Sequence, residues 1–395
     1  MTAAFDVARA RQETPGCAQV VHFNNAGAAL MPQTVLDAVI DHLQREAAIG
    51  GYEAAELAGA GVERVYDAAA ALLHCDRDEI AIVENATRAW DMAFYAIPFK
   101  AGDRILTTMA EYASNYIALL QVARTTGAQI EVIPNDEHGQ LSVAALREMM
   151  DERVKLVTVT HVPTNSGLVN PAAEVGAITR EWGALYLLDA CQSIGQLPVY
   201  VDQIGCDMLS ATGRKYLRGP RGTGLLYVRR DRVEQLTPPL LDLHAAEWVA
   251  PDRYTIRLDA RRFETWEGNV AAKIGLGVAI EYALGWTLEA IQERVSALAA
   301  QLRARLRALP GVAVHDPGLV QSGIVSFTVE GREPPQIQRA LAAQRINVTT
   351  SGITSTRLDM QARGLTQIVR ASVHYYNTER EIDQLIEALS AVGHG

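Results

Sequence analysis

The chain has 395 residues, 49% hydrophobic and 21% charged, with a formal net charge of −10. That length exceeds what one small core needs, so two lobes are expected. The acidic balance speaks against nucleic acid or an anionic membrane as a partner. No apolar run approaches the ~20 residues of a membrane span, and MTAAFDVARARQETPG lacks the apolar core of a signal peptide. Cys17, Cys75, Cys191 and Cys206 have neither metal-ligand spacing nor disulfide density, so the expectation is a reduced, cytoplasmic setting and no bound metal.

In chain order, residues 1–20 read as an N-terminal arm or first helix. VHFNNAGAALMP (21–32) gives a short strand entering a turn of small residues, which lets backbone approach a ligand closely; Asn25 is a candidate contact. Helical spacing runs from Gln33 to Ala48 behind Pro32, is broken by GGYEAAE (50–56), and resumes to Leu73. Ile80–Ile97 is an apolar strand ending in Asn85-Ala86-Thr87, with a helix starting at once. Free N–H groups and the helix dipole there suit an anion; an ordinary N-cap is the alternative. A strand at Asp103–Thr108 leads to Tyr112, which either stacks on a flat ring or joins the core. A helix follows, then a strand at Gln129–Pro134. Lys155–Pro171 begins as a β-branched strand and ends in polar residues, Thr164 and Asn165 among them. A helix at Ala172–Trp182 precedes a strand that ends in Asp189, with Gln192 just beyond.

Repeated strand–helix units predict a largely parallel sheet covered on both faces, with ligands bound beyond the carboxyl ends of the strands. Thr87, Thr164, Asn165, Asp189, Gln192 and Lys215 share that address. Lys215 stands in a glycine-rich turn between two apolar strands, within DMLSATGRKYLRGPRGTGLLYV (207–228). The other lysines, Lys100, Lys155 and Lys273, fall in a turn, at a strand start and in a helix. Lys215 is therefore the candidate Schiff-base amine, against the alternative of a solvated turn lysine. After Val228 an irregular stretch with Pro238-Pro239 precedes a helix from about Val270. Glu289–Leu309 is an amphipathic helix. Strands at 323–329, 346–350 and 368–374 and helices at 335–344 and 379–392 then predict an α+β second lobe. Thr378 and Glu381 form a capping box for the last helix. In VRASVHYYN, Arg370, Ser372 and His374 share one face; Arg370 suits a carboxylate clamp or a surface salt bridge. The expected division is an arm (1–20) packing with the small domain, a large domain (21–245) and a small C-terminal domain (246–395).

The order NAT, EY, HVPTNSG, DACQ, SATGRK, VRASVHYYNT, across roughly residues 20–390, resembles the fold-type I pyridoxal-phosphate enzymes of aminotransferase class V. That group holds cysteine desulfurases, selenocysteine lyases and kynureninases. The resemblance implies an α/β fold and pyridoxal 5'-phosphate in the large domain. It makes Lys215 the Schiff-base lysine and Asp189 the partner of the pyridine nitrogen, while Gln192 approaches the ring's phenolic oxygen. Tyr112 takes the stacking place, Ala86, Thr87, Thr212 and Arg214 the phosphate place, and Arg370 that of the substrate carboxylate. Either Thr164 or Asn165 contacts the ring oxygen. The loop Trp266–Val270, with Asn269, resembles one that reaches the partner subunit's cofactor, which implies a homodimer with shared sites. Substrate contacts are expected from Asn25–Ala29, Tyr52, Trp266 and Ser351–Arg357.

Two positions depart from the desulfurase pattern: Arg214 replaces a histidine, and TTSGITSTRLDMQARGLTQIVR (349–370) contains no cysteine nucleophile. A persulfide route is therefore disfavoured. GGYEAAE, HVPT and HYYNT look most like hercynylcysteine sulfoxide lyase, which implies a C–S β-lyase releasing pyruvate and ammonia from an amino-acid substrate. A class V aminotransferase or an isopenicillin-N-epimerase-like enzyme is the alternative. A non-catalytic binding protein has no need of Lys215, Asp189 and Arg370 together.

Overall fold

The structure, a computed structural model, describes residues 5–393. Strand β1 (Val21–His22) precedes seven strands that form the large sheet: β2 (Ile80–Val83), β3 (Arg104–Thr108), β4 (Gln129–Ile133), β5 (Val154–Thr160), β6 (Leu185–Asp189), β7 (Met208–Thr212) and β8 (Gly224–Val228). Their order is β2-β8-β7-β6-β5-β3-β4. β8 runs antiparallel to both of its neighbours, and the other pairings are parallel.

Alternation along each strand builds two cores, one per face. Ile82, Leu106, Val157, Val159, Tyr186 and Leu188 pack into one. Ala81, Val83, Ile105, Leu156, Leu187 and Met208 pack into the other. Burial on both faces explains why the strands read as continuous apolar runs. The edge strand β4 is the exception. It is only partly buried, and its Glu131 pairs with Arg104 at 2.6 Å.

The small lobe holds a four-stranded antiparallel sheet of order β11-β12-β15-β14, made from β11 (Val312–Val314), β12 (Ile324–Val329), β14 (Thr349–Gly352) and β15 (Gln367–Ser372). Between them, β13 (Ile346–Asn347) pairs in parallel with β1, so the start of the chain is stitched to this lobe. The helix Val7–Gln12 lies beside it, with Arg11 donating to Tyr376 O (3.0 Å) and Glu381 Oε1 (2.8 Å). Thr378 and Glu381 exchange the two bonds of a capping box ahead of helix Glu379–Gly393.

Beyond residue 246 the chain still packs against the large sheet and its helices. Ala260 and Phe263 belong to a core of the large sheet, and helix Val270–Trp286 packs on helices Gln33–Ile49 and Gly59–Leu73. This helix is largely apolar, and eight of its 17 residues are buried, while Lys273 and Glu281 stay partly exposed. The chain turns by 78° between it and helix Leu288–Arg307. The turn is made at Thr287, which takes a left-handed φ of 64° and caps the next helix. A hairpin of β9 (Ala246–Ala250) and β10 (Arg253–Ile256) precedes this region and holds Trp248 78% exposed. Among the described residues, no single helix is long and apolar enough to cross a membrane.

Candidate active site

The carboxyl ends of the parallel strands point to one cavity of ≈ 130 Å³. Ala86 and Thr87 reach it from the turn after β2. Tyr112 comes from the turn after β3, Thr164 from the segment after β5, and Asp189 and Gln192 from the end of β6. Thr212, Arg214 and Lys215 come from the turn after β7. Residues 23 (Gln192) to 129 (Ala86) positions from Lys215 in sequence thus gather because parallel strands end together.

Helix Ala86–Phe94 begins at the cavity wall. Asn85 Oδ1 caps it by accepting from Arg88 N (2.9 Å), which leaves the first-turn N–H groups of Ala86 and Thr87 without intrahelical acceptors. Gly224, opening β8, lets that strand pass directly behind the turn; a Cβ there would stand 2.5 Å from Asn85 C. Gly195 (φ 87°) makes a comparable approach behind Lys215, where a Cβ would meet Tyr216 C at 2.6 Å.

Asp189 is 5% exposed and held at both oxygens: Oδ1 accepts from Cys191 N and Oδ2 from Asn115 Nδ2, each at 2.9 Å. Burial pulls the Lys215 amine below its ordinary pKa; Asp189 opposes this, while Arg214 and Arg370 add to it. A lowered pKa keeps more of the amine neutral, the form that attacks an aldehyde. Burial also pushes Arg370 down to about 10. Its Nη1 donates to Thr164 O (3.0 Å) and Thr164 Oγ1 (2.6 Å), and its Nη2 reaches Asn24 Oδ1 at 3.5 Å. Its Nε is buried with no partner. Gln192 donates to Ala26 O (3.1 Å), leaving its Oε1 buried and unpaired. Arg214 donates to Thr212 Oγ1 (3.1 Å), and both line the cavity together with Ala86 and Thr87.

Four sequence candidates lie elsewhere. Asn165, paired with Thr164 as a ring-oxygen contact, turns toward the small lobe. It donates to Gly352 O (3.1 Å) and Thr356 Oγ1 (2.8 Å) and accepts from Ser351 Oγ. Thr164 lines the cavity and Asn165 does not. Asn25 is fully buried, donating to Ser372 O (2.7 Å) and His22 O (3.2 Å) and accepting from Tyr376 OH, so it braces the turn instead of facing a ligand. Tyr52 is 78% exposed and borders a separate, open cavity with Asn269 and Trp266. Asn269 caps helix Val270–Trp286 through Ala272 N (2.8 Å). Within one chain, Tyr52 and Asn269 do not meet Lys215.

Sequence reading passed over Glu111 and Asn115. Glu111 is 3% exposed and accepts from Thr160 Oγ1 (2.5 Å), Thr107 Oγ1, Asn115 Nδ2 and Tyr112 N (each 2.9 Å). Their i,i+4 spacing at a helix start was the available signal.

These residues fit pyridoxal phosphate. The donors at Ala86, Thr87, Thr212 and Arg214 suit its phosphate, Asp189 suits the ring nitrogen, Gln192 and Thr164 suit a ring oxygen, and the Lys215 amine suits the aldehyde. The buried, unpaired Nε of Arg370 and Oε1 of Gln192 mark polar positions that a ligand completes.

The aminotransferase class V family model matches residues 21–385. A probable cysteine desulfurase of Methanothermobacter thermautotrophicus is 30% identical over 97% of both chains. The apo cysteine desulfurase of Thermococcus onnurineus NA1 superposes with a TM-score of 0.91 at 27% identity, covering 98% of each chain. The cystine C–S lyase C-DES, solved with its product cysteine persulfide, gives 0.86 at 25% identity over 95% of this chain and 99% of its own. This chain belongs to the aminotransferase class V family of pyridoxal-phosphate-dependent enzymes.

Proposed function

We propose that this enzyme is a C–S β-lyase that cleaves a cysteine S-conjugate of the hercynylcysteine sulfoxide type to pyruvate and ammonia. The observation that carries this reading is the segment beside the cavity. Ser351–Thr356 is tied down by Asn165 and by Ala113 N donating to Ser355 O (2.9 Å), and it offers hydroxyls but no thiol. Sulfur transfer through a persulfide needs a reactive thiolate there. Cys191 does not supply one: burial, then Asp189, pushes its thiol well above the ordinary range.

Bound pyridoxal phosphate supplies an electron sink that acidifies the substrate's Cα–H. Arg370 presents its unpaired Nε to the substrate carboxylate and so fixes which bond at Cα faces Lys215. Lys215 Nζ takes the Cα proton as general base, a task that its lowered pKa favours. The Cβ–S bond then breaks with its electron pair leaving on sulfur, and water completes the release of pyruvate and ammonia.

The chain is further proposed to work as a cytoplasmic homodimer. The separate cavity bordered by Leu43, Tyr52, Trp266 and Asn269 exposes apolar side chains that a second copy would cover. Four unpaired cysteines suit a reducing compartment. Mixing the holoenzyme with a cysteine S-conjugate tests the reaction. Pyruvate formed stoichiometrically without added 2-oxo acid is expected. Pyruvate that appears only with an added 2-oxo acid indicates transamination, and a protein-bound persulfide formed from free cysteine indicates a desulfurase; either overturns the lyase.

A further inference from the structure

Behind Asp189 lies a second buried carboxylate. Asn115 Nδ2 donates at 2.9 Å both to Glu111 Oε1 and to Asp189 Oδ2, so one amide bridges two acids. All three side chains are at most 5% exposed. Glu111 collects four contacts, from Thr160, Asn115 and Tyr112 N at Oε1 and from Thr107 at Oε2, a set that suits an ionised carboxylate. An isolated charge at this depth would be costly, and these donors offset that cost. No step of the proposed reaction uses Glu111.

Resting on the assignment of pyridoxal phosphate to this cavity, we infer that Glu111 and Asn115 are positioning residues: Asn115 aims Asp189 at the cofactor's pyridine nitrogen, and the charge of Glu111 favours the protonated form of that nitrogen. Asn115 fixes the plane of the Asp189 carboxylate by occupying Oδ2, while Cys191 N occupies Oδ1. The negative charge of Glu111 makes Asp189 a stronger partner for a protonated ring nitrogen, because like charges nearby stabilise any added proton. Two cations, Lys215 and Arg214, line the same cavity, with Arg370 close enough to act on Lys215, and they pull the other way. Glu111, joined to Asp189 through Asn115, counterbalances them. Burial, reinforced by Asp189, raises the pKa of Glu111 itself, so its support is withdrawn on acidification earlier than an ordinary carboxylate's would be.

The test uses holoenzyme reconstituted with ¹⁵N-labelled pyridoxal phosphate, whose ring-nitrogen resonance is followed against pH. Glu111→Gln keeps the size and loses the charge. The ring nitrogen should then lose its proton at a pH lower by about one unit, a tenfold change in its proton affinity. Thr107→Val removes one donor to Glu111 and should shift the titration the same way by less. It keeps the measurement possible if Glu111→Gln does not fold. A titration unmoved in both variants, with the cofactor bound, overturns the inference. Failure of the wild-type protein to bind pyridoxal phosphate overturns the cofactor assignment instead.

Discussion

At the scale of single residues, the account turns on how neighbours set the state of Lys215. Burial lowers its pKa, and Arg214 works in the same direction. Replacing Arg214 by Gln removes one of the lowering influences, so the pH at which half of the amine becomes reactive should rise by several tenths of a unit to about one unit. The pH dependence of pyridoxal-phosphate capture by the apoprotein measures this. Arg370→Lys keeps a charge but loses the fork. KM for the substrate should rise roughly 10- to 100-fold, in line with about 1.5–3 kcal/mol for a charged hydrogen bond, while cofactor affinity stays unchanged. Lys215, Asp189 and Arg370 stood out in the sequence because each is a charged residue among apolar or glycine-rich neighbours. The choice between Thr164 and Asn165 did not. Adjacent side chains diverge at a strand end, and Asn165 is drawn away by Gly352 and Thr356, nearly 190 positions along the chain.

Among the elements, β8 carries more than sheet pairing. Its first residue, Gly224, backs the turn at Asn85–Thr87. Gly224→Ala should push that turn outward at a cost of about 1–3 kcal/mol. Affinity for pyridoxal phosphate should fall about tenfold or more, with little change for unphosphorylated pyridoxal, as fluorescence titration of both would report. The parallel strands were legible because each is an apolar run bounded by polar residues or glycine. The hairpin β9–β10 was not. Its strands lie partly or fully exposed, so no alternation of buried and exposed positions marks them. The packing of helix Val270–Trp286 on helices Gln33–Ile49 and Gly59–Leu73 was not legible either, because small and apolar residues spread over most of its surface name no single partner face.

For the whole molecule, the two lobes and the arm are locked by one buried cation. Arg218, 1% exposed, donates to Leu30 O (2.8 Å), Tyr375 OH (2.6 Å) and Thr14 Oγ1, and it lies over the rings of Tyr282, Tyr375 and Tyr376. It belongs to the same turn as Lys215, so lobe packing and the reactive amine share a support. Arg218→Ala should cost about 3–5 kcal/mol in denaturant unfolding, because it strands buried acceptors and leaves a cavity. The sequence showed this arginine only as one of many in a basic turn, since its three aromatic partners come from distant segments. The central claim is that Lys215 is the amine that carries the cofactor. Borohydride reduction of the holoenzyme followed by peptide mass spectrometry tests it most directly, because only four lysines compete. A single pyridoxyl adduct on Lys215 is the predicted result; an adduct on Lys100, Lys155 or Lys273, or none at all, would contradict it.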